Sequence, residues 1–349
     1  MTNERNYGID LLRIVAMFLI CVLHVISQGG ILPSVDNGSV SFSVLSILRV
    51  CTLCGVNCFA LISGYATTNK PLKYSKIANM WFQAFFYSFV MSLILSLAGV
   101  GTPLAITDLV KLAFPVTFNQ FWYFSSYFLL FFAMPILNSY LFSLDKASAQ
   151  KAFILLVILS SGLSFLTDPF QSVFGYSALW LILLYCMGIL ARKIHLFEAK
   201  KTCMLIILLI LSTLISWALY IFDIFILTSY IAPTILLNSL ILVVLFSRIR
   251  PKGKIIARIT PFIFGVYLFQ MSYVVWNGIL QDGFCFLATQ PLPLLLFYVF
   301  LFAACIFISG LIIEFLRSKL AHLLRLHLLS EKVVAWINSL LKKVSILTK

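Results

Sequence analysis

Charge is what this sequence has least of. Of its 349 residues only 10% are Asp, Glu, Lys or Arg, just 11 of them acidic, whereas 62% are hydrophobic. Soluble domains carry about a quarter charged residues, so a water-soluble fold is excluded and a polytopic membrane protein is expected. No long polar block stands apart, so no soluble domain is expected beside the membrane part. The first apolar run has no small-residue cleavage site and reads as a retained span rather than a signal peptide. Walker loops, Rossmann glycine patterns, Asp-rich motifs and G-x-S-x-G are all missing, which removes most soluble enzyme classes. No internal repeat suggests a transporter built of inverted halves. Of eight cysteines, only Cys285 falls in an expected loop, so a disulfide framework is excluded. Cys51, Cys54 and Cys58 share a helical face, but no His or carboxylate joins them. They read as small apolar residues at a helix contact, and no metal site is expected.

What is present is a series of apolar stretches. About ten spans are expected, each needing ~20 mostly apolar residues: 10–30, 43–65, 77–99, 121–142, 152–167, 176–191, 202–222, 227–247, 261–280 and 292–316. The fold class is therefore all-α. The segment 101–120 is broken by Gly101, Pro103 and Pro115 and reads as re-entrant or surface-lying. With the N-terminus inside, all but two of the 25 Lys and Arg fall on the inner side, the exceptions being Arg49 and Lys111. This asymmetry predicts an even number of spans and two cytoplasmic termini. Most of the net charge of +14 is thus an orientation signal rather than a sign of nucleic-acid binding. Residues 1–316 read as one integral-membrane domain. Residues 317–349, with Leu and Val at three- and four-residue spacing between Lys and Arg, read as a basic amphipathic helix on the inner leaflet. Its His322 and His327 are expected in solvent.

The first span, GIDLLRIVAMFLICVLHVISQ (Gly8–Gln28), carries Asp10, Arg13 and His24. Ionisable groups inside a span are costly and mark a functional site by default. Arg13 and His24 are 11 residues apart, close to three turns, so they share one face about 16 Å apart along the axis. His24 is the only histidine at membrane depth and the only side chain there that exchanges a proton easily near neutral pH. An isolated histidine would read as structural; the shared stripe with Arg13 turns the reading towards function. On spacing alone Arg13 serves equally well as a snorkelling orientation anchor or as an anion-facing group held by Asp10. The other polar residues at membrane depth, among them Asn57, Gln270 and Glu314, read first as interhelical hydrogen-bond partners. Glu314, near the cytoplasmic end of the last span, has Arg317 or Lys319 as an alternative partner.

Several segments together resemble a known family. R-x10-H inside a span opening I-D-L-L-R-I-V-A is similar to the start of the acyltransferase family 3 membrane proteins. VNCFALISGYATT (56–68) resembles the family's V-D-x-F-F-x-x-S-G-F/Y, giving Ser63, Gly64 and Tyr65, with Asn57 where the family has Asp. QFWYFSSYFLLFFAMPIL (120–137) resembles its W-F/Y-L…P-I/L span, giving Trp122, Tyr123 and Pro135. LLYCMGILARK (183–193) resembles its F-x-x-G-x-L-x-x-R helix. FGVYLFQMS (264–272) resembles its G-x-Y-L-x-H segment, giving Tyr267, with Gln270 where many members have His. The basic loop after S-G-Y, often Arg-rich in the family, has Lys70, Lys73 and Lys76 here.

The resemblance implies transfer of an acyl group, usually acetyl, from a cytoplasmic acyl-CoA to a hydroxyl of an extracytoplasmic or lipid-linked glycan, in the cytoplasmic membrane of a bacterium. Acetyl-CoA or another acyl-CoA would be the donor substrate, with no permanently bound cofactor. Arg13 and the three lysines would meet its phosphates. His24 would act as general base on the acceptor or carry the acyl group itself. Groups near Ser63 and Gly64 would stabilise the oxyanion. Asp10, Asn57, Trp122, Tyr267, Gln270 and Glu314 would support the site. The competing reading is a non-enzymatic transporter or flippase. It needs ionisable residues lining a path across the whole bilayer, and few lie beyond the first helix. A polysaccharide polymerase or ligase ranks last, because the outer loops hold two basic residues and no His.

Overall fold

The structure, a computed structural model, describes residues 5–100, 103–163, 167–168, 170–224 and 228–347. Positions 101–102 of the broken segment, 164–166 of the fifth expected span, 227 of the eighth and 348–349 of the tail lie outside the described residues. Among the described residues there are helices and turns and no strand. Helix α1 spans Tyr7–Ser27 and α2 Val40–Tyr65. Helix α3 runs Tyr74–Leu97 through a π turn at Phe86–Val90. Next come α4 (Trp122–Ser143), α5 (Lys146–Val157, continued by a π turn to Gly162), α6 (Ala178–Lys193), α7 (Thr202–Ile221) and α8 (Pro233–Arg248). Helix α9 (Gly253–Gln270) bends by 58° into α10 (Tyr273–Thr289). Helices α11 (Leu292–Leu323) and α12 (Leu326–Leu347) complete the chain.

Each expected span overlaps helix, the ninth across the bend between α9 and α10, but not all of these helices have the length and apolarity of a span. Among the described residues six stretches are long and apolar enough to cross a membrane: Tyr7–Ser34, Val40–Tyr65, Tyr74–Leu97, Trp122–Ser143, Thr202–Ile221 and Leu292–Leu323. The bent pair α9–α10 would make a seventh, and α8 is a shorter apolar helix of 16 residues. The chain is a polytopic helical membrane protein. The broken segment holds one short helix, Ile106–Ala113, whose Leu112 is buried and accepts a hydrogen bond from Ser88 Oγ at 2.7 Å.

Helices α1 and α2 form the centre, 61% and 72% buried over their most apolar windows, whereas α7 and α11 are 17% and 22% buried and turn most of their surface outward. Helix α1 packs on α2, α8, α9 and α11, and α2 packs on α6, α7 and α8. The start of α1 is fixed locally. Asn6 caps it, accepting from the Gly8 and Ile9 amides at 3.0 and 3.3 Å, and its side-chain amide donates to the Ser247 carbonyl in the last turn of α8 at 2.9 Å. Two glycines bring α2 and α6 together. A Cβ on Gly64 would lie 2.0 Å from the Tyr185 carbonyl oxygen, and one on Gly188 2.2 Å from that of Leu61. Apolar lipid gives helices no hydrophobic reason to associate, so such close approach supplies the packing.

One boundary differs from the expected one. The last span was placed at 292–316, but α11 runs on through Arg317 to Leu323. At 32 residues it is about 48 Å long, more than the ~30 Å hydrocarbon core needs. The helix breaks only at Arg325, where φ is 53°. The basic tail is therefore split: its first residues extend α11, and α12 folds back onto α3, where Ser330 Oγ donates to Asn79 Oδ1 at 2.5 Å.

Candidate functional site

Two cavities meet at Arg13. One is a cavity of about 510 Å³ within the bundle, bordered by Arg13, Met17, Ile20 and His24 of α1 and reaching Ser27 and Gln28 beyond them. Helical spacing puts Met17, Ile20 and Cys21 between Arg13 and His24 on the shared face; the first two border the cavity with them and Cys21 does not. Arg49, Ser63, Trp122, Tyr123, Tyr127, Tyr267 and Trp276 close the other walls. A second cavity of about 560 Å³ opens at the Arg13 end and is bordered by Arg5, Asp10, Arg13, Arg192, Arg248 and Arg250, with His195 and Glu198.

His24 sits in the first cavity with its orientation fixed. Its Nδ1 lies 3.0 Å from Gln270 Oε1, and its ring meets Trp276 edge-on at 5.1 Å. An amide oxygen only accepts, so Nδ1 carries the proton and Nε2 keeps its lone pair. Among the described residues Nε2 has no hydrogen-bond partner. Gln270 is the last residue of α9, immediately before the 58° bend, and its Nε2 points to Met17 Sδ at 3.4 Å. A break in a membrane helix is tolerated where it lines a cavity. Here it aims a neutral amide at the histidine. Gln270 is therefore no acid or base; it sets the tautomer, as second-sphere partners of histidine commonly do.

At the other end, Asp10 is 4% exposed and accepts from both Arg5 Nε and Arg13 Nη1. One carboxylate thus holds two guanidinium groups at the mouth. Arg192 Nη1 donates to the Thr67 carbonyl at 3.0 Å and Arg248 Nη2 to the Phe197 carbonyl at 2.7 Å. These partners are neutral, so the positive charge is left for something else. Five arginines border this cavity against two carboxylates, Asp10 and Glu198, which makes it a basin for a polyanion.

The remaining expected residues divide by place. Ser63, Trp122 and Tyr267 border the first cavity, and the Tyr267 hydroxyl accepts from the Tyr123 amide at 3.2 Å. Asn57 is fully buried in the wall, donating to the Tyr230 carbonyl at 2.8 Å and accepting from Trp180 Nε1 at 2.9 Å. Its hydrogen bonds are structural. Glu314 is 2% exposed and away from both cavities; it takes a bidentate pair from Arg317 at 2.6 and 2.8 Å and a hydrogen bond from Tyr87 at 3.0 Å. Gly64 is spent on packing. Lys70, Lys73 and Lys76 are exposed and border neither cavity.

Depth removes the expected oxyanion role of Ser63 and Gly64. A Cβ on Gly55 would lie 3.0 Å from the Ala16 carbonyl oxygen, which sets the level of α2 against antiparallel α1. Ser63 lies eight residues to one side of that level and His24 eight to the other, so they are about 24 Å apart along the bundle. The amides of Ser63 and Gly64 also belong to α2 itself, and Ser63 Oγ donates to the Phe59 carbonyl at 2.9 Å.

The residues that sequence reasoning missed are the cavity's outer cation, Arg49, its tyrosines 127, 176 and 230, Trp276, and the arginines 5, 192, 248 and 250 of the inner basin. Arg49 left one trace, as an exception to the positive-inside pattern. Among the described residues no group of three metal-ligating side chains comes together.

No curated protein and no solved structure matches the chain. Residues 6–314, which contain the whole R-x10-H helix, Gln270, the bend and every residue bordering the two cavities except Arg5, match the acyltransferase domain model Acyl_transf_3, and the chain belongs to this family of membrane acyltransferases.

Proposed function

We propose that the protein moves an acyl group, acetyl in the simplest case, from a cytoplasmic acyl-CoA to a hydroxyl of an extracytoplasmic or lipid-linked glycan. The observation that carries this reading is the placement of Arg13. It borders a cationic basin on one side and, on the other, an apolar-walled cavity that leads about 16 Å along α1 to an oriented histidine. The phosphates of the donor sit among Arg5, Arg13, Arg192, Arg248 and Arg250. Its extended arm follows Met17 and Ile20, and the thioester reaches His24. With ten spans and both termini in the cytoplasm, the basin faces the donor pool and His24 lies towards the acceptor side, in a bacterial cytoplasmic membrane.

The chemistry balances with this chain's groups. His24 Nε2 takes the proton of the acceptor hydroxyl as the oxygen attacks the thioester carbonyl. The new C–O bond forms, the C–S bond breaks, and the leaving thiolate takes the proton back from the imidazolium. Gln270 holds the Nδ1–H and so keeps Nε2 basic throughout. A covalent acyl-His24 intermediate is the variant of the same scheme that a chemical quench would reveal.

The test uses the purified protein in lipid with labelled acetyl-CoA and a candidate glycan. His24→Ala should lower transfer by about 10²–10⁴-fold, the usual worth of a positioned base, while acyl-CoA binding stays intact. Undiminished transfer by His24→Ala overturns the mechanism.

A further inference from the structure

The outer half of the first cavity contains a cation with nothing to neutralise it. Arg49 borders the cavity, its guanidinium rests 4.9 Å from the Tyr220 ring centre, and its Nη1 is buried with no hydrogen-bond partner. Among the described residues no Asp or Glu borders the cavity. Arg49 is half-buried, but a guanidinium nitrogen shut away from water without a partner is costly, and a ligand that accepts from it removes that cost. Ser27 Oγ and Tyr123 OH, on the same lining, are likewise buried without partners. Measured from Gly55 and Ala16, Arg49 lies six residues outward along α2 and His24 eight residues outward along α1, about 9 and 12 Å. The two side chains therefore approach the cavity from different walls at nearly one depth.

The wall beside them is aromatic. Trp122 and Tyr230 are nearly parallel, at 14° with centroids 6.3 Å apart, and Tyr176 lies 4.7 Å from Trp122 and 4.9 Å from Tyr230. Such a surface receives the C–H face of a sugar ring, while scattered hydroxyls and one charge fix its orientation.

We propose that the acceptor is an acidic sugar, one carrying a carboxylate or phosphate, and that Arg49 selects it by pairing with that anion while a hydroxyl of the same unit is presented to His24. This rests on the acyltransferase reading and adds the acceptor's chemical class. Arg49 is a specificity-determining residue here. It takes no part in the bond changes.

The test is equilibrium binding to the protein in lipid nanodiscs with two matched pairs of probes: methyl glucuronide against its methyl ester, and the methyl ester of glucose 1-phosphate against methyl glucoside. In the wild type at least one acid should bind about 10- to 100-fold more tightly than its neutral partner, the range of a charge-assisted hydrogen bond that has lost its water. The arm that discriminates separates a uronate from a sugar phosphate. Arg49→Gln should bring the ratio near one and leave acyl-CoA binding unchanged, because the donor phosphates sit at the other end. If Arg49→Gln loses both, the cavity has collapsed and Arg49→Lys decides: a retained preference supports the proposal and a lost one overturns it. Equal binding of acid and neutral probe in both arms, or a ratio that survives Arg49→Gln, overturns it. Absent acyl transfer with the anion preference intact overturns the acyltransferase reading alone.

Discussion

The two ends of the cavity handle positive charge in opposite ways. At the inner end Arg13 is paired: Asp10 bridges it to Arg5, and three more arginines stand around the same basin. At the outer end Arg49 is alone with tyrosines. Pairing fixes where an arginine points and lowers the cost of burying it, while the surplus of arginines still leaves a net positive field for phosphates. A single unpaired arginine gives up that stability for selectivity, since one anion of the right size completes it. Near the depth of Arg49, on another wall, His24 is held by a neutral amide. A carboxylate at Gln270 would bind the imidazolium and hold it charged; an amide orients the ring without doing so.

This contrast makes the inner end the place of affinity and the histidine the place of rate, and it can be broken in four ways. The largest effect is expected from Arg13→Ala. It removes the one cation that borders both cavities, and KM for acyl-CoA should rise about 100-fold, near the upper range for a charged hydrogen bond; a KM unchanged with kcat lowered would move Arg13 from donor binding to chemistry. Gln270→Leu frees the imidazole tautomer, and kcat should fall about 10- to 30-fold with KM for the donor held, in line with loss of one hydrogen bond to a reacting group. A raised KM instead would mean that the amide touches the donor. Arg248→Gln removes one cation from among several, so donor KM should rise only about 5- to 10-fold in steady-state assays. The smallest effect is expected from replacing Lys70, Lys73 and Lys76 together by Gln. Exposed charges outside the cavity are screened, so acyl-CoA affinity should change less than about 3-fold at physiological salt. A larger loss would return the donor phosphates to that loop.

The first-helix stripe was legible because both its members lie on one helix, where residue number fixes geometry. The lysine loop was read as the donor site because it follows the S-G-Y motif in sequence. Yet from that stretch the basin takes only Tyr65, Ala66 and Thr68, and its cations come from the start of α1 and the ends of α6 and α8. Arg192 and Arg248 were counted as orientation charges. A cytoplasmic arginine reports topology whether or not it also binds a ligand, so counting does not separate the two uses. Asn57 reads as an interhelical partner and Glu314 as a partner of Arg317 or Lys319; Asn57 accepts from Trp180 of α6, and Glu314 pairs with Arg317 on its own helix and also accepts from Tyr87 of α3.

The sequence by itself determined the class of molecule, the positions of the apolar helices, and the alignment of Arg13 with His24, because these follow from composition and from 3.6 residues per turn. Only the tertiary structure decided what each buried polar group meets. Gln270 stands 246 residues from His24, and Tyr220, which meets Arg49, comes from α7, 171 residues along the chain. Those meetings depend on which helices cross and at what depth. They also depend on the bend at the end of α9, which no local propensity encodes. For the same reason an arginine that looked like a stray exception to a topology rule became a candidate reader of the acceptor.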